Sequence, residues 1–285
     1  MKKLLMLLLC GGLLVACSQS AYNVKVSDSD KTLISGSEVK ITKQDYFEKL
    51  LDQLGGQEVV NEAINKIAEK ELTDKDAYNK LLKETEETYA KYSGGDLEKY
   101  AKNLGYKSKD EYINQELSLT VKKELLIKKY IQENLESIIK DYQIVSFKKI
   151  TCAKESEALA IIKEATSLEA FDKKLKAAGS QGEDAGIVTK NSTLDQNLKT
   201  KLEKLSAINK DGVYNEAIKL SDDQYAVLYI YNTDHKNTDE LVTKLKSDEK
   251  IQDDVIGHYL KKYNFTVEDN KIKESVKKIS GNYIE

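Results

Sequence analysis

The stretch YQIVSFKKIT, residues 142 to 151, decides the fold. Before it, apolar residues recur at helical spacing. From Gln143 to Thr151 the chain alternates and favours β-branched and aromatic residues, as strands do. Working outward toward the C-terminus, Glu155 to Ala165 returns to helical spacing, and a second helix is expected from Ser167 to Ala178. Residues 179–186, GSQGEDAG, read as a glycine-rich loop, and Leu194 to Leu205 as a third helix. Val213 to Leu220 and Gln224 to Asn232 read as strands joined by the polar turn Ser221-Asp222-Asp223. The order β-α-α-loop-α-β-β describes a small α+β domain over 143–235.

Working outward in the other direction, Thr42 is an N-cap with Asp45 three residues on. Ile64, Ile67, Ala68 and Leu72 mark a helix, and Thr73-Asp74 starts another. Ser93-Gly94-Gly95-Asp96 and Gly105-Tyr106-Lys107-Ser108 are breaks. Ser108 to about Lys140 is one long helix or two, with Ile113, Leu117, Val121 and Leu125 as a packing stripe. Helical spacing resumes at Thr238. Ile251, Val255, Ile256, Tyr259, Leu260 and Tyr263 form a stripe, Phe265-Thr266-Val267 breaks it, and a last helix runs toward Ile279. An amphipathic helix must bury its stripe. The C-terminal helices, 236–285, are therefore expected to pack back on the N-terminal lobe, 37–142, as one discontinuous helical domain.

The first residues belong to a different problem. Lys2 and Lys3 precede the apolar run Leu4 to Val15, which is shorter than the ~20 residues that span a bilayer. Residues 1–16 read as a secretory signal and are excluded from fold reasoning. Leu14-Val15-Ala16-Cys17 resembles the bacterial lipobox, in which the cysteine is lipidated and becomes the new N-terminus. Two acyl chains anchor stably where one is marginal. Residues 17–36 then form a tether. The alternative is ordinary cleavage near Ala16, with Cys17 incidental.

Composition narrows the function. The chain has 285 residues, 45 lysines and no arginine against 48 acids. Without the signal it carries 43 lysines, a net charge of −5. Nothing forms a basic patch for nucleic acid, and the guanidinium fork that best grips phosphate is missing. Beyond Cys17 only Cys152 remains, so no internal disulfide supports the fold. No HExxH, CxxC or P-loop pattern occurs. Glu183-Asp184 and Asp222-Asp223 read as solvated turn residues. No cofactor or metal is expected.

The layout and three stretches resemble the PrsA family of Gram-positive lipoprotein foldases, in which a parvulin domain is inserted into a SurA-like helical chaperone domain. The stretches are GSEVKITKQDYFEKL (36–50), NLGYKSKDEYINQELSL (103–119) and IQDDVIGHYLKKYNFTVEDNKIKESV (251–276). GEDAG, 182–186, sits where parvulins carry a GGDLG-like loop. Active parvulins carry a histidine on the first strand and another on the last. By the resemblance, Lys149 occupies the first position and Ala226 the second, with Tyr225 at the family's tyrosine. The apolar pocket positions fall at Leu194 and Leu198. The chain's two histidines, His235 and His258, match neither position.

The resemblance thus implies a membrane-anchored, extracytoplasmic chaperone of unfolded secreted proteins, with weak or absent isomerase activity and a homodimer left open. The tyrosines suit a sticky, unselective surface. Tyr46, Tyr78, Tyr89, Tyr92, Tyr100, Tyr106 and Tyr112 recur through the N-terminal lobe. Most are expected as half-buried packing residues, with a client cleft between the N-terminal and returning C-terminal helices. The rival readings are a peptidyl-prolyl isomerase with a rearranged site, a solute-binding lipoprotein and an adhesin.

Overall fold

The computed structural model describes residues 25–236 and 238–284. The signal and Cys17 lie outside the described residues. The fold is α+β, mostly helical, and divides into two compact units: 25–60 with 266–284, and 61–265.

In the smaller unit, β1 (Thr32–Ser35) and β2 (Lys40–Thr42) form an antiparallel hairpin. Helix Lys43–Leu50 follows at once. Thr42 Oγ1 accepts from Asp45 N at 3.1 Å, and Asp45 Oδ2 accepts from Thr42 N at 2.8 Å, a reciprocal capping box. A π turn, Leu51–Gly55, widens the helix where the last helix, Asn270–Ile279, packs on it. Gly56 N donates to Ser275 Oγ at 3.2 Å. A Cβ on Gly56 would lie 2.6 Å from the Ser275 carbonyl carbon, so only glycine allows the approach. Lys278 pairs with Asp52 at 2.9 Å and Lys271 pairs with Glu48.

In the larger unit the helical part is punctuated by side-chain caps. Asp74, Asp96 and Ser108 cap Lys75–Tyr92, Leu97–Asn103 and Lys109–Tyr112. From Lys109 the helix runs on through a π turn, Ile113–Leu117, into Ser118–Glu133. It breaks at Asn134, and Leu135–Asp141 follows. Within the stripe, Leu117 and Val121 are buried, while Ile113 and Leu125 are half-buried. Helices Thr238–Leu245 and Glu249–Lys262 pack on Ser118–Glu133, where Lys246 pairs with Glu124 at 2.6 Å and Tyr259 donates to the Leu126 carbonyl at 3.3 Å.

The sheet begins at β3 (Val145–Cys152) and includes β4 (Gly182–Val188), β5 (Gly212–Val213), β6 (Ile218–Lys219) and β7 (Tyr225–Tyr231). The order is β4-β3-β7-β5, with β6 also on β7, and every pair is antiparallel. One face packs Val145, Phe147, Leu198, Leu202, Leu205, Tyr214, Leu228 and Ile230 into an apolar core. Helices Glu155–Glu164 and Leu168–Ala178 cover the other, around Ile150, Cys152, Phe171, Val227 and Tyr229.

Three expectations are corrected. Residues 179–186 are not a loop: Gly179–Gln181 is a 3-10 turn and Gly182 begins edge strand β4. Pairing with β3 supplies the backbone partners that glycine and acid content concealed. A bulge opposite Phe147/Lys148, with Gly186 at φ +62°, then bends the strand. The helix expected over 194–205 is two short ones, Gln196–Lys199 and Leu202–Ser206. Asp195 is the reason: its Oδ1 caps Asn197 N at 2.9 Å and its Oδ2 accepts from Ser221 N at 2.9 Å, so Leu194 stays outside the helix. The strand expected over 213–220 survives only as β5 and β6, two residues each.

Candidate functional site

The residues matched to parvulin site positions converge on one sheet face, with one exception. Antiparallel partners point to the same side, and alternate residues to opposite sides. Thr151 opposes Ala226, Lys149 opposes Leu228 and Phe147 opposes Ile230, which sets one face. Cys152 opposes Tyr225 and Ile150 opposes Val227, which sets the other. Ala226 and Lys149 are therefore on the face that packs Leu198, with Leu194 half-buried against the same cluster. Tyr225 is not. It packs with the Cys152 cluster behind the sheet.

The chemistry of that face is sparse. Ala226 has 0% exposure and sits among aliphatic side chains, with Ile218 opposite it on β6. Lys149 reaches sideways rather than inward, pairing with Glu183 across β4 at 2.9 Å. Among the described residues the core encloses the Tyr214 hydroxyl without a close hydrogen bond, although Lys204 and Glu216 lie near it. The histidines do not substitute. Ala226 is near the entry of β7 and His235 lies beyond its exit, so five residues of extended strand, about 17 Å, separate the former from the strand end. Burial lowers the pKa of His235, and it adopts a left-handed backbone, φ +49°. His258 is on helix Glu249–Lys262, stacked 4.7 Å from the Tyr130 ring.

The opposite face carries the polar network. Lys148 Nζ donates to Asp172 Oδ1 at 2.6 Å and lies 4.0 Å from Asp184. Tyr231 Oη donates to Asp184 Oδ1 at 2.7 Å. Burial, and then Asp184, holds the Tyr231 phenol in its neutral form well above its ordinary range. Glu183 and Asp184 are thus strand residues with partners, rather than solvated turn residues. Sequence reading passed over Lys148, although period-two alternation beside Lys149 places it on the other face. Cys152 is buried, and burial raises its thiol pKa, which suits an inert packing residue.

The tyrosines divide. Tyr112 is buried at the centre of three edge-on rings, Tyr89, Tyr100 and Tyr106, at 6.4, 5.8 and 5.2 Å. Burial pushes its phenol pKa up to about 12. Tyr78 hydrogen-bonds Ser118 at 2.8 Å. Tyr46 and Tyr92 are exposed. Among the described residues no cluster of His, Cys, Asp and Glu could hold a metal ion, and no helix is long and apolar enough to cross a membrane.

No protein-family model matches the chain. It is 26% identical over 269 residues to the foldase protein PrsA of Pediococcus pentosaceus, covering 86% of this chain and 88% of that one. It is 23% identical over 261 residues to the foldase protein PrsA of Levilactobacillus brevis, covering 82% and 83%. A crystal structure of the peptidylprolyl isomerase PrsA from Bacillus cereus overlaps 88% of this chain and 99% of that one, with TM-score 0.48 at 18% identity. Matched to two foldases over more than four-fifths of either length, the chain is PrsA-like.

Proposed function

We propose that this chain is an extracytoplasmic foldase, tethered through lipidated Cys17, that holds unfolded secreted chains and isomerises prolyl bonds weakly or not at all. The relatives' names support the foldase reading. The closed apolar surroundings of Ala226 carry the second half of it. Prolyl isomerisation faces a barrier of about 18–20 kcal/mol from amide resonance. A catalyst must bind the twisted amide better than the planar forms. Here one position that would carry an imidazole is sealed, and the other holds a lysine already paired to Glu183. Clients are unfolded or partly folded secreted proteins, and no cofactor takes part. A homodimer is compatible with this role.

Two assays on the full mature chain test it. In a proline-peptide isomerisation assay, the rate is expected to stay within about tenfold of the uncatalysed one, a barrier change of at most about 1.4 kcal/mol. A rate typical of an active parvulin would instead establish an isomerase with a rearranged site. In the second assay the chain is expected to suppress aggregation of a denatured secreted protein at near-equimolar ratio. No suppression would defeat the foldase reading. Radiolabelled palmitate should enter the wild-type chain and not Cys17→Ser.

A further inference from the structure

A cleft of about 380 Å³ opens in the larger unit, where the end of the helix through Glu71, the start of Lys75–Tyr92 and the middle of Ser118–Glu133 meet. Its volume lies in the range of small-ligand pockets, ~300–1,000 Å³. Half-buried Leu72, Ala77 and Leu125 provide an apolar lining. Lys128 and Gln132 are exposed at its edge.

The charges around the cleft are nearly all committed. The Glu71 side chain is only 8% exposed, lies 3.5 Å from Lys129, accepts from Tyr263 Oη at 2.9 Å and pairs with Lys262. Lys129 is shared with Glu133. Asp74 caps Ala77 N at 2.9 Å, so its charge meets the positive end of a helix. Lys128 is the lining cation left over: among the described residues it forms no ion pair. The wall is therefore braced before any ligand arrives, which lowers the cost of binding. What the cleft lacks is an apolar group for its lining and one anion for Lys128.

We propose that this cleft is a client-binding subsite that takes an aliphatic side chain followed closely by a carboxylate, in an extended peptide. The inference deepens the foldase reading and rests on it. The aliphatic group covers Leu72, Ala77 and Leu125, and the peptide's Asp or Glu meets Lys128.

The test uses the full mature chain and three fluorescein-labelled peptides of equal length, repeating Leu-Asp, Leu-Lys or Gly-Asp. Fluorescence anisotropy should show the Leu-Asp peptide binding at least about tenfold more tightly than Gly-Asp, the scale of one buried leucine side chain, and about threefold more tightly than Leu-Lys, the scale of one exposed charge pair. Lys128→Glu, an exposed change, should abolish the preference for Leu-Asp over Leu-Lys. Ala77→Leu, which fills the cleft, should weaken Leu-Asp binding. Equal binding of the three peptides, or an unchanged preference in Lys128→Glu, overturns the proposal. Aggregation suppression separates the two readings. Wild-type suppression together with equal peptide binding removes the cleft and leaves the foldase. Absent suppression removes the foldase, and the peptide arm still decides the cleft.

Discussion

On one face of the five-stranded sheet, Ala226, Leu228 and Ile230 meet Leu198, Leu202 and Leu205. On the other, Val227 and Tyr229 meet Phe171, and Lys148, Asp172, Asp184 and Tyr231 form a polar chain at the margin. The two faces share the same strands and differ in what they can do. The face matched to parvulin site positions is the drier one, and its charges are pushed to the rim. The opposite face, which holds Tyr225 alone of those positions, carries the Lys148–Asp172 pair and most of the aromatic rings. Period-two alternation thus gives one set of strands a dry face and a face with a charged margin.

Substitutions that act on one face at a time test this division. The largest effect is expected behind the sheet. Phe171→Ala, at 0% exposure, should cost about 3–5 kcal/mol in urea unfolding, because it opens a cavity under Tyr229. On the drier face, Ala226→His should cost about 2–4 kcal/mol, combining overpacking with an unpartnered ring nitrogen. It should also leave prolyl isomerisation unimproved. A stable, accelerated Ala226→His chain would show that the face retains an open site.

Alkaline unfolding sharpens the contrast. The Tyr231 phenol is raised in the folded state above the ordinary value of 10.0. Its contribution is full below pH 10 and is lost as pH rises through the folded pKa. Tyr231→Phe should therefore flatten the fall in melting temperature above pH 10 relative to wild type. Unchanged curves would mean that the phenol is neither buried nor bonded to Asp184 in solution. Smaller still is Lys149→Met, expected within about 1 kcal/mol, because Glu183 is 54% exposed and such a pair is screened. Last is Tyr214→Phe, which removes a hydroxyl that makes no close hydrogen bond. It should be neutral or stabilising by up to about 1 kcal/mol, where removing a bonded hydroxyl would destabilise.

The elements whose signals are local were legible in the sequence. Thr42 with Asp45, and Asp74, Asp96 and Ser108, announce helices through side-chain caps that need no distant partner. The strand from Val145 and the strand from Tyr225 carry β-branched and aromatic alternation. Strand β4 does not, because Gly182, Glu183, Asp184 and Gly186 lack side chains that signal a strand, and only β3 makes it one. Of the site, Lys149, Ala226, Leu194 and Leu198 were placed together by their match to a known layout. Tyr225 adjoins Ala226 in sequence, and adjacency in a strand means opposite faces. The cleft by Lys128 was illegible, since three separate helices make it and none carries a motif.

The close approach of Gly56 to Ser275 has a consequence for timing. The two residues are 219 apart in sequence, yet one cannot be seated without the other. All of that interval must be delivered before the contact can form. Until then the early helix Lys43–Leu50 must wait for the tail that will clasp it. The smaller unit therefore cannot close before Ser275 is in place, however early its first helix forms.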